Sequence, residues 1–471
     1  MSELAVFALL VTGYFGAVNT IYLVQLVIGW RAVRRRLRSI VLEDFHDLRE
    51  SGLAPPVSIV VPAYNEGKTI IESVRSLLAL RYPRLEVVVV NDGSADDTLE
   101  LLIAEFGLRR APRVYWQRIR SKPVRGIYWS PAYPGLWVLD KVNGRKADAV
   151  NAGINLASAP YVCVVDGDSV LEGDAMSAIM HAVLPHSAET VAAGGTVRIA
   201  NGCEIDGTAG ITRVGVPRTW LGAAQVMEYL RAFLFGRAAW SELGSLMIVS
   251  GAFGVFRKDV LVEIGGFRHD TVGEDMDLVV RMHRHMRAAG RRYRVAFVPD
   301  PVCWTECPET LQALRRQRER WQRGLGETLD HSHEMLASPR FGRIGLGAMP
   351  YLMGVEYLGP LLEVTGYAIL PVGWALGLLN HSLFLLFLAA GLVYGLCLSL
   401  ATLLLEELSF RRYREPRQLL RLARAAVAES LVLRQQHSWW RLVALLTWRG
   451  RAQLWHSAPR QGFSAGRPLS P

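Results

Sequence analysis

Apolar positions along the chain fall into three regimes. Residues 4–30 carry no charged side chain, a run longer than the roughly 20 residues needed to span hydrocarbon. Residues 55–326 instead alternate short β-rich runs with helical ones. Long apolar stretches return from Ile344 to Leu379, interrupted by Pro350, Pro360 and Pro371, and again from Leu383 to Leu405. The first and last runs predict crossing helices. The stretch 344–379 is too long for one simple span and predicts an interfacial or kinked start followed by a crossing helix.

In the middle region Val57–Val61 is a nearly continuous apolar strand, followed by a loop and a helix over about 68–80. Leu85–Val90 is the second strand and Arg113–Ile119 a candidate third, followed by an aromatic, Pro/Gly-rich insertion over 121–137. A helix is expected over 145–157, then a strand over 161–165. Buried parallel strands, each followed by a helix, predict an α/β doubly wound, Rossmann-like sheet. Ligands in such sheets gather beyond the carboxyl ends of the strands. The acidic residues of this region recur at those ends.

Charge fixes the expected topology. Arg31, Arg34, Arg35, Arg36 and Arg38 follow the first apolar run, whereas a cleaved secretory signal carries its positive charge before it. By the positive-inside rule this is a signal anchor with its N-terminus outside. Arg411, Arg412, Arg414 and Arg417 follow the last run, and the link 380–382 has no formal charge, which fits a hairpin entered from the cytoplasm. Residues 418–456 mix apolar runs with arginines and with Trp439, Trp440, Trp448 and Trp455, an interfacial composition. Glu356 and Glu363 lie in apolar sequence; they serve either a polar path for substrate or a paired helix contact.

Composition agrees with a membrane protein. The 471 residues are 51% hydrophobic with net charge +10, and a mean hydropathy of +0.18 accompanies a pI near 9.5. Disorder and collagen-like repeats are excluded. The positive charge largely flanks apolar segments and no nucleic-acid motif accompanies it, so no nucleic-acid partner is expected. The five cysteines are scattered and imply no disulfide framework, and Cys303 with Cys307 lacks the second pair a zinc site needs. His283, His285, His331 and His333 are expected at the surface.

Five motifs carry the chemistry. Pro62-Ala63-Tyr64-Asn65-Glu66 follows the first strand and Asn91-Asp92-Gly93-Ser94 the second; each alone is compatible with a plain turn. Asp166-Gly167-Asp168 places two carboxylates at the exposed end of a buried strand. Their repulsion would raise a pKa unless a divalent cation relieved it, and Mg2+ or Mn2+ takes carboxylate and phosphate oxygens together. Gly273-Glu274-Asp275 precedes an amphipathic helix over 278–286; its acids could cap the helix or supply a general base. Gln317, Arg320, Trp321 and Gly324 share one helical face, where an amide, a guanidinium and an indole suit diphosphate and sugar-ring contact. Phosphate-loop, dinucleotide and zinc-helix signatures are missing from the sequence.

Taken in order, Pro62–Glu66, Asp92, Lys146-Ala147-Asp148 with Asn151, Asp166-Gly167-Asp168, Ser250-Gly251, Gly273-Glu274-Asp275 and Gln317–Trp321 resemble the membrane-embedded family-2 glycosyltransferases, the cellulose, chitin, hyaluronan and poly-N-acetylglucosamine synthase group. The resemblance covers about residues 55–326. It implies a GT-A fold, a UDP-sugar donor and a Mg2+ or Mn2+ cofactor. Tyr64, Glu66 and Asp92 would line the uridine pocket, with Lys146 and Asp148 beside the donor. Asp166 and Asp168 would meet the metal and diphosphate. Asp275, next to Glu274, would deprotonate the acceptor hydroxyl. Gln317 and Arg320 would hold the pyrophosphate and Trp321 would stack on the acceptor sugar. The chain departs from many relatives in having Gly273 where they have Thr, and in showing only three expected crossings.

The expected organisation is an N-terminal helix (1–30), a basic cytoplasmic linker (31–54), a cytoplasmic catalytic domain (55–326), a linker (327–343), two further crossings (344–410) and a basic interfacial tail (411–471). The expected function is inverting transfer from a UDP-sugar to a growing β-linked polysaccharide at the cytoplasmic face of the plasma (inner) membrane, in contact with membrane lipids. An export partner or an oligomer is compatible with so few crossings. The alternatives are single-sugar transfer to a lipid-linked acceptor, as in glycolipid synthases, and a catalytically silent scaffold.

Overall fold

The computed structural model describes residues 2–40, 52, 54–206 and 210–447. The described chain divides into two units: one contains residues 2–35, 215–245 and 307–447, the other residues 36–40, 54–206, 210–214 and 246–306. The sequence set the catalytic domain at 55–326, so its last helical segment and the stretch 215–245 fall in the first unit.

The second unit is built on a mixed sheet. Its strands are β1 (Val57–Ala63), β2 (Leu85–Asn91), β3 (Arg109–Arg110), β4 (Val124–Trp129), β5 (Leu136–Lys141), β6 (Tyr161–Val164), β7 (Ser169–Leu171), β8 (Thr190–Ile199), β11 (Gly254–Arg257) and β12 (Arg294–Thr305), with β9 (Glu204–Asp206) and β10 (Gly210–Arg213) forming a separate hairpin. The ten-stranded sheet runs β3-β4-β5-β2-β1-β6-β11-β8-β12-β7. Strands β5, β2, β1 and β6 are mutually parallel, with Ala63 level with Asn91 and Asn91 level with Asp140. Their carboxyl ends therefore share one edge. β11 runs antiparallel to β6, with Gly254 opposite Val164, so the residues just before Gly254 reach that same edge. Val57, Ile59, Val60 and Val61 are completely buried, as expected of a strand covered on both faces. The helix Lys146–Leu156 lies so close to this core that a Cβ on Gly153 would sit 2.4 Å from Val60 Cγ1.

Two sequence expectations fail here for one reason. Arg113–Ile119 forms no strand, and the supposed insertion 121–137 supplies β4 and β5, which extend the main sheet beyond β2. The Pro/Gly-rich turn between them, 130–135, masked two ordinary strands. The sheet is also mixed, because β4, β7 and β11 pair antiparallel to their neighbours.

The other unit is helical. Glu3–Ile40 is a single helix of 38 residues, which continues ten residues past the apolar limit at Trp30 through the arginine cluster. Among the described residues, two helical stretches are long and apolar enough to cross a membrane, Glu3–Ile40 and His381–Ser409. The stretch 344–379 has the irregular start expected of it: π-helical turns at Ile344–Ala348 and Leu352–Tyr357 precede a helix of 17 residues, Gly359–Ala375. A bend at Leu358 separates that helix from the turns before it, and leaves it shorter than the other two stretches. Ala8, Val11 and Phe15 of the first helix pack with Leu370, Leu379, Phe384 and Phe387, and the Asn19 amide donates to Ala390 O at 2.8 Å. The two acids in apolar sequence are paired. Glu356 accepts from Tyr351 at 2.9 Å and faces Arg441 at 3.2 Å, while Glu363 accepts from Ser438 and from Tyr14. Residues 416–447 form the helices Pro416–Ala428 and Arg434–Thr447, joined by a π-helical turn. Trp448 and Trp455, and linker residues 41–51, lie outside the described residues.

His283 corrects another expectation. It is buried in the helix Glu274–Ala288, with its ring nitrogens against Tyr293 Oη at 2.7 Å and Leu246 O at 2.8 Å. A His-x-His spacing puts the two rings about 200° apart on a helix, and here one faces inward while His285 faces Glu263 at 2.9 Å.

Candidate active site

The sheet edge holds two charge clusters. The first is centred on Lys141, the last residue of β5, whose side chain is fully buried. Its ammonium lies 2.6 Å from Asp92 Oδ1 and 2.5 Å from Asp148 Oδ1, and donates to Val142 O at 2.7 Å. Asp92 also accepts from the Gly144 amide at 3.0 Å and the Arg145 amide at 2.8 Å. Burial pushes the Asp92 carboxyl above the usual range, against the pull of Lys141 and those two amides. Asp148 accepts from the Lys122 amide at 3.0 Å and has the His269 ring 3.6 Å away. Both carboxylates are thus engaged by the chain itself. Arg145 takes φ 73°, a left-handed conformation that a non-glycine residue keeps only when its surroundings hold it there, and the bond to Asp92 does so.

The second cluster carries the reactive geometry. Lys146, at the start of its helix, reaches Asp166 Oδ1 at 2.6 Å and Glu274 Oε1 at 3.6 Å. Burial alone would lower the Lys146 pKa, but Asp166, Glu274 and Asp275 outweigh it and hold the ammonium above its ordinary value. Asp168 is held well above the ordinary carboxylate range by burial first and by Asp166 second. Gly251 closes the cluster: its amide donates to Asp275 Oδ2 at 3.4 Å, and a Cβ there would lie 2.9 Å from Lys146 Nζ and 3.9 Å from Asp275 Oδ2. Asp275 sits in the first turn of the helix Glu274–Ala288, with Oδ1 accepting from the Met276 amide at 2.9 Å. One oxygen therefore faces the Lys146–Asp166 side. Asp277, two residues on, is structural: it is fully buried against Arg281 at 2.7 Å.

The loops between the clusters are fastened together. Asn65, at φ 56°, donates its amide to Ser94 Oγ at 3.0 Å and accepts from the Ala95 amide at 2.8 Å. Glu66 accepts from Thr69 Oγ1 at 3.1 Å, and a Cβ on Gly167 would stand 3.7 Å from Glu66 Cγ. Tyr64 is half exposed beside them. Asn151 grips the loop ahead of the helix Glu274–Ala288, exchanging two 2.8 Å hydrogen bonds with the Phe267 backbone.

Lys146, Asp166, Glu274 and Asp275 thus converge, and Asp168 joins them electrostatically. Asp92 and Asp148 meet only through Lys141, which the sequence reading missed. Gln317, Arg320 and Trp321 lie in the other unit, on the helix Leu311–His331. There Gln317 Oε1 is buried without a partner among the described residues. Trp321 is covered by Arg318, whose guanidinium lies 4.2 Å from the ring centroid and is itself paired with Glu228 at 2.8 Å. Arg318 is a second omission; one arginine among five within 315–323 gives no sign of burial.

Gly251→Ala tests the second cluster. The new methyl would displace only the tip of a flexible lysine, so the melting midpoint should correspond to a change within about 1 kcal/mol. Turnover should fall by about 10- to 100-fold as Lys146 leaves Asp166. A fully active variant would show that the Lys146–Asp166 contact is dispensable.

A GT-A sheet with its acids at the strand ends defines the class. The chain carries a family-2 glycosyltransferase domain: residues 58–120 match the family described as Glycosyl transferase family 2, and residues 127–324 that described as Glycosyltransferase like family 2. Its sequence is 27% identical over 309 residues to a poly-beta-1,6-N-acetyl-D-glucosamine synthase of Staphylococcus aureus, covering 65% of this chain and 62% of that protein. It is 28% identical over 292 residues to the Staphylococcus epidermidis synthase of the same name, covering 62% of this chain and 58% of that one. The match therefore spans about three-fifths of these relatives. In fold it is similar to a mannosyltransferase of Pyrobaculum calidifontis solved with GDP-Man and Mn2+, with a TM-score of 0.53, 21% identity, and coverage of 90% of this chain and 98% of that one.

Proposed function

We propose that this chain is an inverting glycosyltransferase that adds sugars from a UDP-sugar to a growing β-linked polysaccharide at the cytoplasmic face of a membrane. The observation that carries the reading is the convergence of Lys146, Asp166, Glu274 and Asp275 around Gly251. An acceptor hydroxyl gives its proton to Asp275 as its oxygen forms the new bond to the sugar's anomeric carbon. The bond from that carbon to the diphosphate breaks with its electron pair, and UDP departs. A single displacement inverts an α-linked donor to a β-linkage. Lys146 offers positive charge where the diphosphate develops negative charge. Gln317 and Arg320 are assigned to the pyrophosphate, and Trp321 to the acceptor sugar, by the motif resemblance. Asp92 and Asp148 act at one remove: by holding Lys141 and the 144–145 amides they shape the loop that begins the Lys146 helix.

The carboxylates suit a hard divalent cation. Asp168 is pushed toward its neutral form by burial beside Asp166, a strain that Mg2+ or Mn2+ would relieve. Among the described residues no three His, Cys, Asp or Glu side chains gather as a metal site, so Asp166 and Asp168 would share the ion with donor phosphate oxygens. The ion's contribution is charge neutralisation at the leaving diphosphate. Chelation is expected to stop turnover, with Mn2+ or Mg2+ restoring it, and Asp168→Asn to raise the metal concentration needed. Full activity after exhaustive chelation would reject the metal.

The deciding experiment is nucleotide release by detergent-purified protein across a panel of UDP-sugars and GDP-mannose, with products sized by mass spectrometry. A ladder from UDP-N-acetylglucosamine, the donor suggested by the names of the staphylococcal relatives, would support a polysaccharide synthase. A single addition would move the reading to lipid glycosylation, and silence with every donor and acceptor would count against an enzyme.

A further inference from the structure

The stretch 109–125 contains seven arginines and lysines and no acidic residue. Six of them, Arg109, Arg110, Arg118, Arg120, Lys122 and Arg125, are exposed; the seventh, Arg113, is paired with Glu86 at 3.1 Å. At the tip, Val114 is 97% exposed and Trp116 82% exposed. These are among the most exposed large apolar side chains in the described chain, and they flank each other two residues apart. The base of this loop is nevertheless fixed. The Arg118 and Ile119 amides both donate to Asn155 Oδ1 at 3.0 Å, and the Lys122 amide donates to Asp148. A tethered loop thus holds an aliphatic and an indole side chain in water inside a belt of positive charge.

We infer that loop 109–125 is a docking surface for an anionic lipid bilayer, with Val114 and Trp116 entering the interface and the surrounding arginines meeting phosphate headgroups. The combination is that of interfacial anchors, in which an indole sits at headgroup depth and basic residues add attraction to anionic lipid. Six exposed cations around an apolar tip match the phosphates and acyl boundary of an anionic bilayer better than the uncharged hydroxyls of a neutral saccharide. Because the same loop bonds to Asp148 and Asn155, lipid contact would also hold the start of the Lys146 helix in place. The inference rests on the membrane location proposed above.

Bromolipid quenching of Trp116 tests it. Full-length protein is reconstituted into nanodiscs of phosphatidylcholine with or without phosphatidylglycerol, and the spectrum of Trp116→Phe is subtracted from that of the unaltered protein. In phosphatidylglycerol discs, brominated acyl chains should quench most of the difference signal. Adding Arg118→Gln and Arg120→Gln to both proteins should reduce that quenching. Equal emission in brominated and plain discs, with free access to acrylamide, overturns the inference. Quenching indifferent to phosphatidylglycerol overturns its anionic part. A difference signal that changes only after sugar nucleotide has been consumed would give the surface to the nascent saccharide instead. Failure of the protein to enter discs at all, read by size-exclusion chromatography, would overturn the membrane reading beneath it; entry without quenching would overturn the docking surface alone. Matched melting of Trp116→Phe and the unaltered protein controls for folding.

Discussion

Asp275→Asn is expected to lower sugar transfer by about 100- to 10,000-fold, the usual worth of a positioned general base, while leaving UDP affinity within a few-fold. The asparagine keeps the side chain's shape, and its single oxygen can still accept from the Met276 amide, so that only the longer 3.4 Å contact from the Gly251 amide is given up. It cannot take the acceptor's proton. The contrast between catalysis and binding is what identifies a base, since a merely structural acid at a helix start would cost stability and affinity together. Nucleotide release would be followed with the donor found active, and UDP binding by calorimetry on the same preparations. If the variant kept more than about a tenth of its turnover, well short of the loss a base implies, Glu274 would become the candidate. Glu274 is buried 3.6 Å from Lys146, and Glu274→Gln would then be expected to show the larger loss.

The parts of this site that were legible in the sequence are those written into single strands. β1, β2 and β6 are short apolar runs ending in Tyr64–Glu66, Asp92 and Asp166–Asp168, so placing those residues on one edge required only that the strands be parallel neighbours. What the sequence hid depends on how distant segments meet. Lys141 belongs to no motif in the sequence; it is buried because β5 docks beside β2 and brings Asp92 and Asp148 over its ammonium. That docking was invisible because β5 follows a Pro/Gly-rich turn. His283 and Arg318 share this character, each an ordinary polar residue on a helix that turns inward. The irregular start expected of the stretch 344–379 is present, but its detail was hidden. Hydropathy registers its apolar content and its prolines an irregular course, but neither locates the π-helical turns or the bend at Leu358.

The largest effect on stability is expected at Lys141. Lys141→Met replaces the shared ammonium with an apolar chain of similar length and leaves Asp92 and Asp148 buried without their cation. Breaking a buried pair by removing one partner costs about 3–5 kcal/mol, and here one lysine serves two carboxylates. The melting midpoint in detergent should fall sharply, and transfer should fall with it, because Asp92 holds the Gly144 and Arg145 amides in the strained turn from which the Lys146 helix starts. Adding Asp148→Asn removes one of the two stranded charges, so Lys141→Met with Asp148→Asn should melt higher than Lys141→Met alone. That rescue is the discriminating result, since lost packing at Lys141 would not be recovered by altering a carboxylate. Activity should recover less than stability in the double variant, because Asp92 would still face no cation and the turn it anchors would remain loose. A double variant that melts below the single one would mean that Asp148 contributes through the Lys122 amide and His269 rather than through Lys141.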